Sequence, residues 1–329
     1  MTRILVTGAS GMLGRGVAAR LVADGHDVRT LQRRASGVAT DVRGSVTDPA
    51  AVAEAVHDRE AVVHLAAKAA ITGPLAEYVE VNVRGTERVL TAAAAAGVRR
   101  FVHVSSPSVA HLGTSLAGAG AGPADPDRAR GHYARTKAAA ELIALAADEP
   151  GGMRVVVVRP HVVWGPGDTQ LVGRVVDRAR SGRLPVLGAG AALIDTTYVD
   201  NAVDALVAAL HADDSACGEP YVVTNGEPRP VLELLRGICS ASGVPTPRRH
   251  VPAAAARAVG GLLDLAWARL PLDGEPPLTR FTAEQLSTAH WFDQRRTREA
   301  LGWTPAVTIE EGLVRLASWT AAERDTRVP

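Results

Sequence analysis

The sequence has little cysteine and no surplus of charge of either sign. Its two cysteines, Cys217 and Cys239, form neither a CxxC pair nor a cluster with metal-ligand spacing. These absences argue against a disulfide framework and a bound metal, and we expect reduced thiols. The 36 lysines and arginines nearly balance 35 aspartates and glutamates, without the clustered basic face that nucleic acids require. We therefore predict no nucleic-acid partner.

Long uncharged apolar runs are also missing. No stretch of about 18 or more apolar residues avoids charge, so we predict no membrane span. The largely apolar segment 251–271 carries Arg257, Asp264 and Arg269. We expect it to wall an apolar substrate channel, to make peripheral contact with a membrane or partner enzyme, or to pack in the core or a dimer. The first strand-like run begins at Arg3, which leaves no room for a signal peptide and predicts a cytoplasmic protein.

The sequence does contain a regular alternation of strand-like and helical patterns. Short apolar runs separated by helical patterns occur at RILVTG (3–8), DVRTL (27–31), AVVHLAA (61–67), FVHVSS (101–106) and RVVVVRP (154–160). Continuous apolar strands between helices predict a parallel sheet covered on both faces. We predict an α/β fold with a Rossmann doubly wound parallel sheet over 1–160. A smaller, mainly substrate-binding part should follow over 161–329, with segments near 193–225 returning to the sheet.

Two longer segments separate the predicted strands. Residues 75–96 carry a helical pattern and predict one long helix. Residues 112–130 are rich in Gly, Ala and Pro and have no periodicity, which predicts a mobile loop. That loop would serve either as a lid over a site or as a connection without function.

A glycine-rich turn joins the first predicted strand to the first helix. In VTGASGMLG, Gly8, Gly11 and Gly14 have the spacing GxxGxxG. Glycine permits a tight turn and lets backbone N–H groups approach a pyrophosphate, to which the helix N-terminus adds partial positive charge. The strand–turn–helix context therefore predicts a dinucleotide site rather than a simple turn.

The end of the second predicted strand bears on which dinucleotide binds. An acidic residue there would hold the adenosine ribose hydroxyls and favour NAD. Instead Gln32 is followed by Arg33 and Arg34, and a guanidinium can bind a 2′-phosphate with paired hydrogen bonds. We predict NADPH, with NADH possible if both arginines are simply solvated.

A tyrosine and a lysine stand one helical turn apart in GHYARTKAAAELIALAA. Tyr133 and Lys137 therefore lie on one face of the predicted helix. A free tyrosine has a pKa of about 10, and a nearby ammonium lowers it towards the range useful for proton transfer. Ser106, at the end of FVHVSS, could hold a substrate oxygen because strand ends of a parallel sheet meet at the ligand crevice.

The glycine turn, Asn82 in NVRGT, Ser106 and the Tyr133–Lys137 pair together resemble the extended short-chain dehydrogenase/reductase family, also called the NAD-dependent epimerase/dehydratase superfamily. The resemblance covers nearly the whole chain. It implies that Tyr133 is the catalytic acid/base and that Lys137 lowers its pKa and contacts the nicotinamide ribose. It also implies that Ser106 orients a carbonyl and that Asn82 holds a proton-relay water.

The resemblance further implies a cofactor site, a substrate site and a homodimer. The cofactor residues would be Gly8, Ser10, Gly11, Met12, Leu13, Gly14, Arg33, Arg34, Ser45, Val46, Leu65, Ala66, Ala67, Lys68, Tyr133, Lys137 and Pro160. Candidate substrate residues are Ser108, His161, Val162 and Trp164. Helices near 75–96 and 132–147 would pair with those of a second subunit, since alanine-rich faces allow close packing.

Two departures from the family pattern favour an apolar substrate. Pro107 and Ser108 follow Ser106, where 4,6-dehydratases carry Asp-Glu. Val162 occupies the position at which many epimerases carry an asparagine that binds a nucleotide-sugar. Both departures argue against a sugar nucleotide.

The C-terminal motifs resemble a narrower group. RPHVVWGPGD, DTTYVDNAVDAL, TNGEPRP and LTRFTAEQLSTAHWFD are similar to the 3β-hydroxysteroid dehydrogenase-like branch, and most of all to bacterial 2-alkyl-3-oxoalkanoate reductases. This implies NADPH-dependent reduction of the keto group of a hydrophobic 3-oxo compound to its 3-hydroxy acid. The alternatives are an NAD-dependent 3β-hydroxysteroid dehydrogenase and a nucleotide-sugar epimerase. A non-catalytic cofactor sensor would have little need of the Ser106, Tyr133 and Lys137 set.

Overall fold

A seven-stranded parallel sheet forms the centre of the computed structural model, which describes residues 1–70, 73–111, 113–270 and 276–325. Its strands are β1 (Arg3–Thr7), β2 (Asp27–Gln32), β3 (Thr40–Arg43), β4 (Ala61–His64), β5 (Arg100–Val104), β7 (Arg154–Pro160) and β12 (Pro220–Val223). Their spatial order is β3-β2-β1-β4-β5-β7-β12. The order reverses between β1 and β4, which is where ligands bind in such sheets.

Helices connect the strands and cover the sheet. They are α1 (Met12–Ala23), α2 (Pro49–Val56), α3 (Leu75–Tyr78), α4 (Gly85–Ala95), α5 (Gly131–Ala146), α6 (Val172–Arg180), α7 (Val199–His211), α8 (Val231–Ala241), α9 (Ala253–Arg269), α10 (Arg280–Gln285), α11 (Arg295–Leu301) and α12 (Ile309–Asp325). Among the residues that the structure describes, no helix is both long enough and apolar enough to cross a bilayer.

The central strands bury side chains on both faces because successive residues point in opposite directions. Val63 and Val156 join a core cluster that includes residues of α1 and α7. Their neighbours Val62 and Val155 join a second cluster, which includes residues of α2, α4 and α5. Continuous β-branched strands are what a sheet covered on both faces requires. The predicted doubly wound α/β fold is confirmed.

The predicted helix 75–96 contains an irregularity that the sequence analysis missed. One turn of π-helix, Val79–Arg84, lies between α3 and α4. Such turns are rare and occur often at functional sites. Asn82 lies within this turn and is almost completely buried.

The remaining strands form small sheets beside the central one. They are β6 (Leu116–Ala119), β8 (Val163–Trp164), β9 (Val186–Leu187), β10 (Leu193–Ile194), β11 (Thr197–Tyr198), β13 (Arg229–Pro230), β14 (His250–Val251) and β15 (His290–Phe292). A mixed sheet has the order β13-β10-β15-β6, while β8 pairs with β11 and β9 with β14.

Residues 113–130 contain regular structure, in contrast to the mobile loop predicted for 112–130. Strand β6 lies within this segment and pairs in parallel with β15. Further along, the guanidinium of Arg159 donates hydrogen bonds to the carbonyl oxygens of Ala121 and Gly122. Glycine and alanine have low strand propensity, and the pairing strand lies far along the chain, so no local pattern indicated β6. Leu112, which this expectation also covered, lies outside the described residues.

The segments near 193–225 divide between the two parts of the molecule. Strand β12 lies at the edge of the central sheet, and α7 packs against that sheet. Strand β10, by contrast, belongs to the mixed sheet. The division into a cofactor-binding part over 1–160 and a substrate-binding part after it remains a proposal.

Candidate active site

The glycine-rich turn brings backbone close to backbone at the end of β1. Gly8 has a φ of +79°, and a Cβ there would lie 2.9 Å from the backbone nitrogen of Ala66. A Cβ on Gly14 would lie 2.5 Å from the carbonyl oxygen of Gly8. Only glycine fits either position. Gly11 begins α1 without a side-chain capping bond, so the first N–H groups of this helix are left for an anion.

A cavity of about 1080 Å³ opens at this turn. It brings together eleven of the predicted cofactor residues: Gly8, Ser10, Gly11, Arg33, Arg34, Ser45, Val46, Leu65, Ala66, Ala67 and Lys68. Met12, Leu13 and Gly14 lie in the adjoining first turn of α1. The N–H groups, the cavity and the cations fit a dinucleotide.

Other residues of this cavity were not predicted. Thr47 follows β3, while Glu77, Glu80 and Arg84 come from α3 and the π-helical turn. No local signal marks them, because that helical stretch reaches the cavity only once the chain has folded. Pro160 ends β7, but it lines neither this cavity nor the substrate cavity described below, so its place beside a nicotinamide stays a prediction.

The carboxylate nearest to the end of β2 is held by the protein itself. Gln32 donates to the Asp41 carboxylate at 2.7 Å, and Thr30 donates to the same oxygen at 2.6 Å. Burial acts to raise the pKa of Asp41, but hydrogen bonds from Ser36, Thr30 and Gln32 lower it overall. Arg33 and Arg34 are exposed at the cavity. This arrangement occupies the Asp41 carboxylate and leaves Arg33 and Arg34 available to a ligand.

Ser106 and Tyr133 meet where β5 and α5 approach each other. The Ser106 hydroxyl lies close enough to the Tyr133 side chain to act to lower its pKa. It also accepts a hydrogen bond from the Ser108 hydroxyl at 2.9 Å. The tyrosine lies in the first turn of α5, and both residues line a second cavity. Two hydroxyl groups of this kind can hold one carbonyl oxygen between them.

Lys137 is buried beneath this pair. Its ammonium donates to the Val104 carbonyl oxygen at 2.5 Å and lies 3.5 Å from Nε2 of His103. Burial lowers the pKa of Lys137 to about 8, although Glu141 acts to raise it. Burial raises the pKa of Tyr133 overall, although the Ser106 hydroxyl acts to lower it. The Lys137 ammonium is directed to the end of β5, and the lowering of the tyrosine pKa by this lysine stays a prediction.

The lowered lysine pKa predicts the alkaline side of the pH profile. We expect kcat/KM to fall as the pH rises through about 8, because Lys137 then loses the charge that its role requires. The measurement is kcat/KM from about pH 6 to about pH 10 with an uncharged ketone as the substrate, so that only ionisation of the protein is followed. In Lys137→Arg, which keeps its charge, the fall should move to higher pH. A wild-type profile that stays level to about pH 9.5 contradicts this assignment.

Asn82 connects the cofactor cavity to α5. Its amide nitrogen donates to the Lys68 carbonyl at 3.2 Å and to the Thr136 hydroxyl at 3.0 Å. Its side-chain oxygen accepts from the Lys68 backbone N–H at 2.7 Å. Both amide hydrogens are thus used to hold the chain after β4 against the helix that carries Tyr133. The proton-relay water at Asn82 stays a prediction.

The second cavity has a volume of about 510 Å³ and mostly apolar walls. Its polar lining comprises Ser106, Ser108, Tyr133, His161, Gln170, Arg174, Arg178, Arg183, Thr282 and Gln285. Its apolar lining comprises Val162, Val163, Leu171, Val175, Leu184, Pro185, Leu187, Ile194, Val231, Leu234, Leu235, Pro277, Leu278, Phe281 and Leu286. The volume is that of a small-molecule site. Most of this lining was missed. Helices α6 and α8 carry no motif beyond ordinary amphipathic spacing, and the motif LTRFTAEQLSTAHWFD, which contains α10, indicated a family resemblance without placing its residues in the site.

Two expectations about the substrate site are corrected. Trp164 does not line the cavity: it is fully buried and packs edge-on against Tyr198, with ring centroids 5.4 Å apart. Its indole N–H donates to Thr196 at 2.9 Å, as a core tryptophan requires. Helix α9 contributes none of the described residues that line the cavity, and it packs against α10, which does line it. Only the channel-wall alternative for 251–271 is corrected in this way; peripheral contact with a membrane or partner enzyme and packing in a dimer stay open. Residue 271, the last of the segment 251–271, lies outside the described residues.

Comparisons with known proteins agree with this geometry. A family model described as "NAD dependent epimerase/dehydratase family" matches residues 4–224. A 2-alkyl-3-oxoalkanoate reductase of Stenotrophomonas maltophilia is 42% identical over 97% of this chain and 100% of its own length. A protein of the same name from Shewanella oneidensis is 36% identical, over 96% and 86%.

A relative of lower identity and a solved structure also match over nearly the whole chain. A 3 beta-hydroxysteroid dehydrogenase/Delta 5-->4-isomerase of Mycobacterium tuberculosis is 32% identical over 94% of this chain and 88% of its own. The solved structure of MoeE5 in complex with UDP-glucose and NAD is 25% identical, with a TM-score of 0.74 over 98% of this chain and 99% of that one.

Proposed function

The chain belongs to the NAD-dependent epimerase/dehydratase family and is an NAD(P)-dependent oxidoreductase, and we propose that it uses NADPH to reduce a 2-alkyl-3-oxoalkanoate to the 3-hydroxy acid. One observation carries the proposal. The hydroxyls of Ser106 and Tyr133 line a cavity whose remaining walls are largely aliphatic. Such a site suits a ketone that carries alkyl chains.

The reaction divides between the bound cofactor and the protein. NADPH, when bound, supplies the hydride that reaches the keto carbon. Ser106 and Tyr133 hold the keto oxygen, and Tyr133 gives its hydroxyl proton to the oxygen as negative charge develops there. Burial raises the pKa of Tyr133, which keeps the hydroxyl protonated before reaction. Lys137, beneath the pair, supplies the positive charge that favours loss of this proton.

The walls of the cavity account for the proposed substrate class. Aliphatic side chains such as Leu171, Leu234 and Leu286 cover the site on several sides. Each buried methylene of an alkyl chain gains about 0.8 kcal/mol on leaving water. Val162, which lines the cavity, offers no amide to a sugar nucleotide. The similarity to a 3β-hydroxysteroid dehydrogenase makes steroid oxidation the second candidate, since the same walls suit a steroid.

A panel of substrates tests the assignment. NADPH oxidation is measured with a long-chain 2-alkyl-3-oxo acid, a 3-ketosteroid and a UDP-sugar, with NADH in parallel. We expect turnover of the oxo acid and little of the other two. Turnover of the steroid with NAD, in preference to the oxo acid, would transfer the protein to the second candidate.

Cofactor choice is attributed to Arg33 and Arg34. We expect Arg33→Ala and Arg34→Ala together to raise KM for NADPH about 10- to 100-fold, because each guanidinium can make charge-assisted hydrogen bonds to a 2′-phosphate. KM for NADH is the internal control and should change little, because NADH lacks that phosphate. An equal increase in KM for both cofactors would show that the arginines do not bind the 2′-phosphate.

We also propose a homodimer built on α4 and α5. A groove beside these helices has an apolar lining that includes Leu90, Ala94, Ile143 and Ala147, with Glu87, Arg99 and Glu149 also lining it. Small residues on such a face allow two helix pairs to approach closely. Light scattering after size exclusion gives the mass directly, and a monomer at micromolar concentration contradicts the proposal.

A further inference from the structure

We propose that His161 forms a subsite for the carboxyl group of the substrate. This inference rests on the proposed function, in which the substrate is a 3-oxo acid. In such a compound a single carbon separates the carboxyl carbon from the keto carbon. The group that binds the carboxylate must therefore lie beside Ser106 and Tyr133, which hold the keto oxygen.

The sheet register places His161 next to Ser106. Val104 of β5 pairs with Val158 of β7, and the Ser105 N–H donates to the Val158 carbonyl at 2.7 Å. If this register is continued by two residues beyond Val104 and Val158, Ser106 lies opposite Pro160. His161 is the residue that follows Pro160 in the chain. Neighbouring strands lie about 4.8 Å apart. His161 also lines the cavity that contains the two catalytic hydroxyls.

Three hydrogen bonds hold His161 in one orientation. Its backbone N–H donates to the Val223 carbonyl at 3.0 Å, and its carbonyl accepts from the Thr197 hydroxyl at 2.8 Å. Its Nδ1 lies 2.6 Å from the Asp195 carbonyl oxygen. Because a carbonyl only accepts, the proton of the neutral ring is on Nδ1. Nε2 is therefore the unprotonated nitrogen.

Nε2 is the atom left for a ligand. Nε2 makes no hydrogen bond with the described residues. Among those residues, several side-chain nitrogen and oxygen atoms are both fully enclosed and without a partner, and Nε2 of His161 is not one of them. It therefore opens to the cavity that the ring lines. The next residue, Val162, has a φ of +43°, a left-handed conformation that is rare and strained for a β-branched side chain. Strain of this kind persists where the surrounding structure enforces it, often at ligand sites.

The groups around His161 leave its ring neutral in the free protein. Burial lowers the pKa of His161 to about 4. The facing rings of His111 and His290 also have pKa values lowered by burial, so they supply no counter-charge. The Asp195 carboxylate accepts from Thr224 at 2.7 Å, and it is the Asp195 backbone carbonyl that holds the imidazole.

Binding of a carboxylate at Nε2 requires one proton. A bare Nε2 repels a carboxylate, whereas a protonated Nε2 donates to it in a charge-assisted hydrogen bond. The substrate anion and one proton from water therefore bind together. The imidazolium and the carboxylate then cancel in charge, so the net charge of the site does not change. A neutral ketone or ester gains nothing from this step, so the subsite selects acids.

The test compares an acid with its neutral analogue. With a 2-alkyl-3-oxo acid, KM of the wild type should rise about tenfold per pH unit between about pH 6 and pH 8, since one proton is taken up. The methyl ester of that acid should show a level KM. His161→Asn keeps a donor for the Asp195 carbonyl and removes Nε2. The variant should raise KM for the acid about 10- to 100-fold, because it loses one charge-assisted hydrogen bond. The increase in KM for the ester should be at least about tenfold smaller.

A second variant separates charge from fold. His161→Gln places an amide near the position of Nε2, so it should keep part of the acid preference while losing the pH slope. Three arginines that line the same cavity, Arg174, Arg178 and Arg183, are the rival carboxylate binders, and each is replaced by glutamine in turn. The subsite is overturned by equal losses for acid and ester in His161→Asn, or by a level KM for the acid. A larger acid-specific loss in any of the three arginine variants than in His161→Asn also overturns it. If the wild type reduces neither compound, the proposed function itself fails.

Discussion

Replacement of Tyr133 by phenylalanine is expected to lower kcat about 10²- to 10⁴-fold, the usual contribution of a positioned proton donor. The change removes one oxygen atom, which is the group that gives its proton to the reduced substrate. The Ser106 hydroxyl remains and still holds the keto oxygen. Binding of NADPH should be largely retained, because the cavity at the glycine turn is built from other residues. The measurements are kcat with the oxo acid and fluorescence titration of NADPH.

A matched variant shows whether any tyrosine hydroxyl matters as much. Tyr221 is buried in β12, away from both described cavities. Tyr221→Phe should keep kcat within about threefold of the wild type, as expected for a change outside the site. If Tyr133→Phe keeps more than about a tenth of the activity, another group donates the proton and the central assignment is wrong.

Removal of the charge on Glu141 is expected to lower the free energy of unfolding by about 3–5 kcal/mol, because it leaves a buried cation without its partner. Glu141 on α5 and Arg159 on β7 are both fully buried, and Nε of the arginine donates to the carboxylate at 2.9 Å. The same guanidinium donates to the carbonyl oxygens of Ala121 and Gly122. Urea denaturation of Glu141→Gln measures the loss.

Two further observations distinguish this pair from ordinary packing. Because Glu141 acts to raise the pKa of Lys137, Glu141→Gln should move the alkaline fall in kcat/KM to lower pH. The double variant Glu141→Leu with Arg159→Met should recover much of the lost stability, since it leaves no unpaired buried charge. A change in unfolding free energy below about 1 kcal/mol in Glu141→Gln contradicts the role assigned to the pair.

The sequence predicted the parts of the molecule that depend on local pattern. Continuous β-branched runs such as 154–160 can only be strands buried on both faces, so the parallel sheet followed from them. Gly14 lies against the backbone of Gly8, and Gly8 lies against the backbone that follows the adjacent strand β4. Neither position has room for a Cβ, which is why glycine is required at both. Tyr133 and Lys137 come together because one helical turn separates them.

Features that depend on distant contacts could not be predicted in this way. Strand β6 forms only because β15, far along the chain, pairs with it. Trp164 belongs to the motif RPHVVWGPGD, whose residues His161 and Val162 line the cavity. Its own side chain instead packs in the core, where it contacts Thr196 and Tyr198. The pKa of Tyr133 is controlled by burial and by Ser106, neither of which is visible in the spacing of residues 133 and 137.

The most direct test of the central claim follows one hydrogen atom. The enzyme is supplied with NADPH deuterated at the transferable position of the nicotinamide and with a long-chain 2-alkyl-3-oxo acid, and the product is examined by mass spectrometry and NMR. The account predicts a 2-alkyl-3-hydroxy acid that carries one deuterium at C3, formed by the wild type and scarcely by Tyr133→Phe. A product without deuterium at C3, or no reduction of the acid, would contradict it.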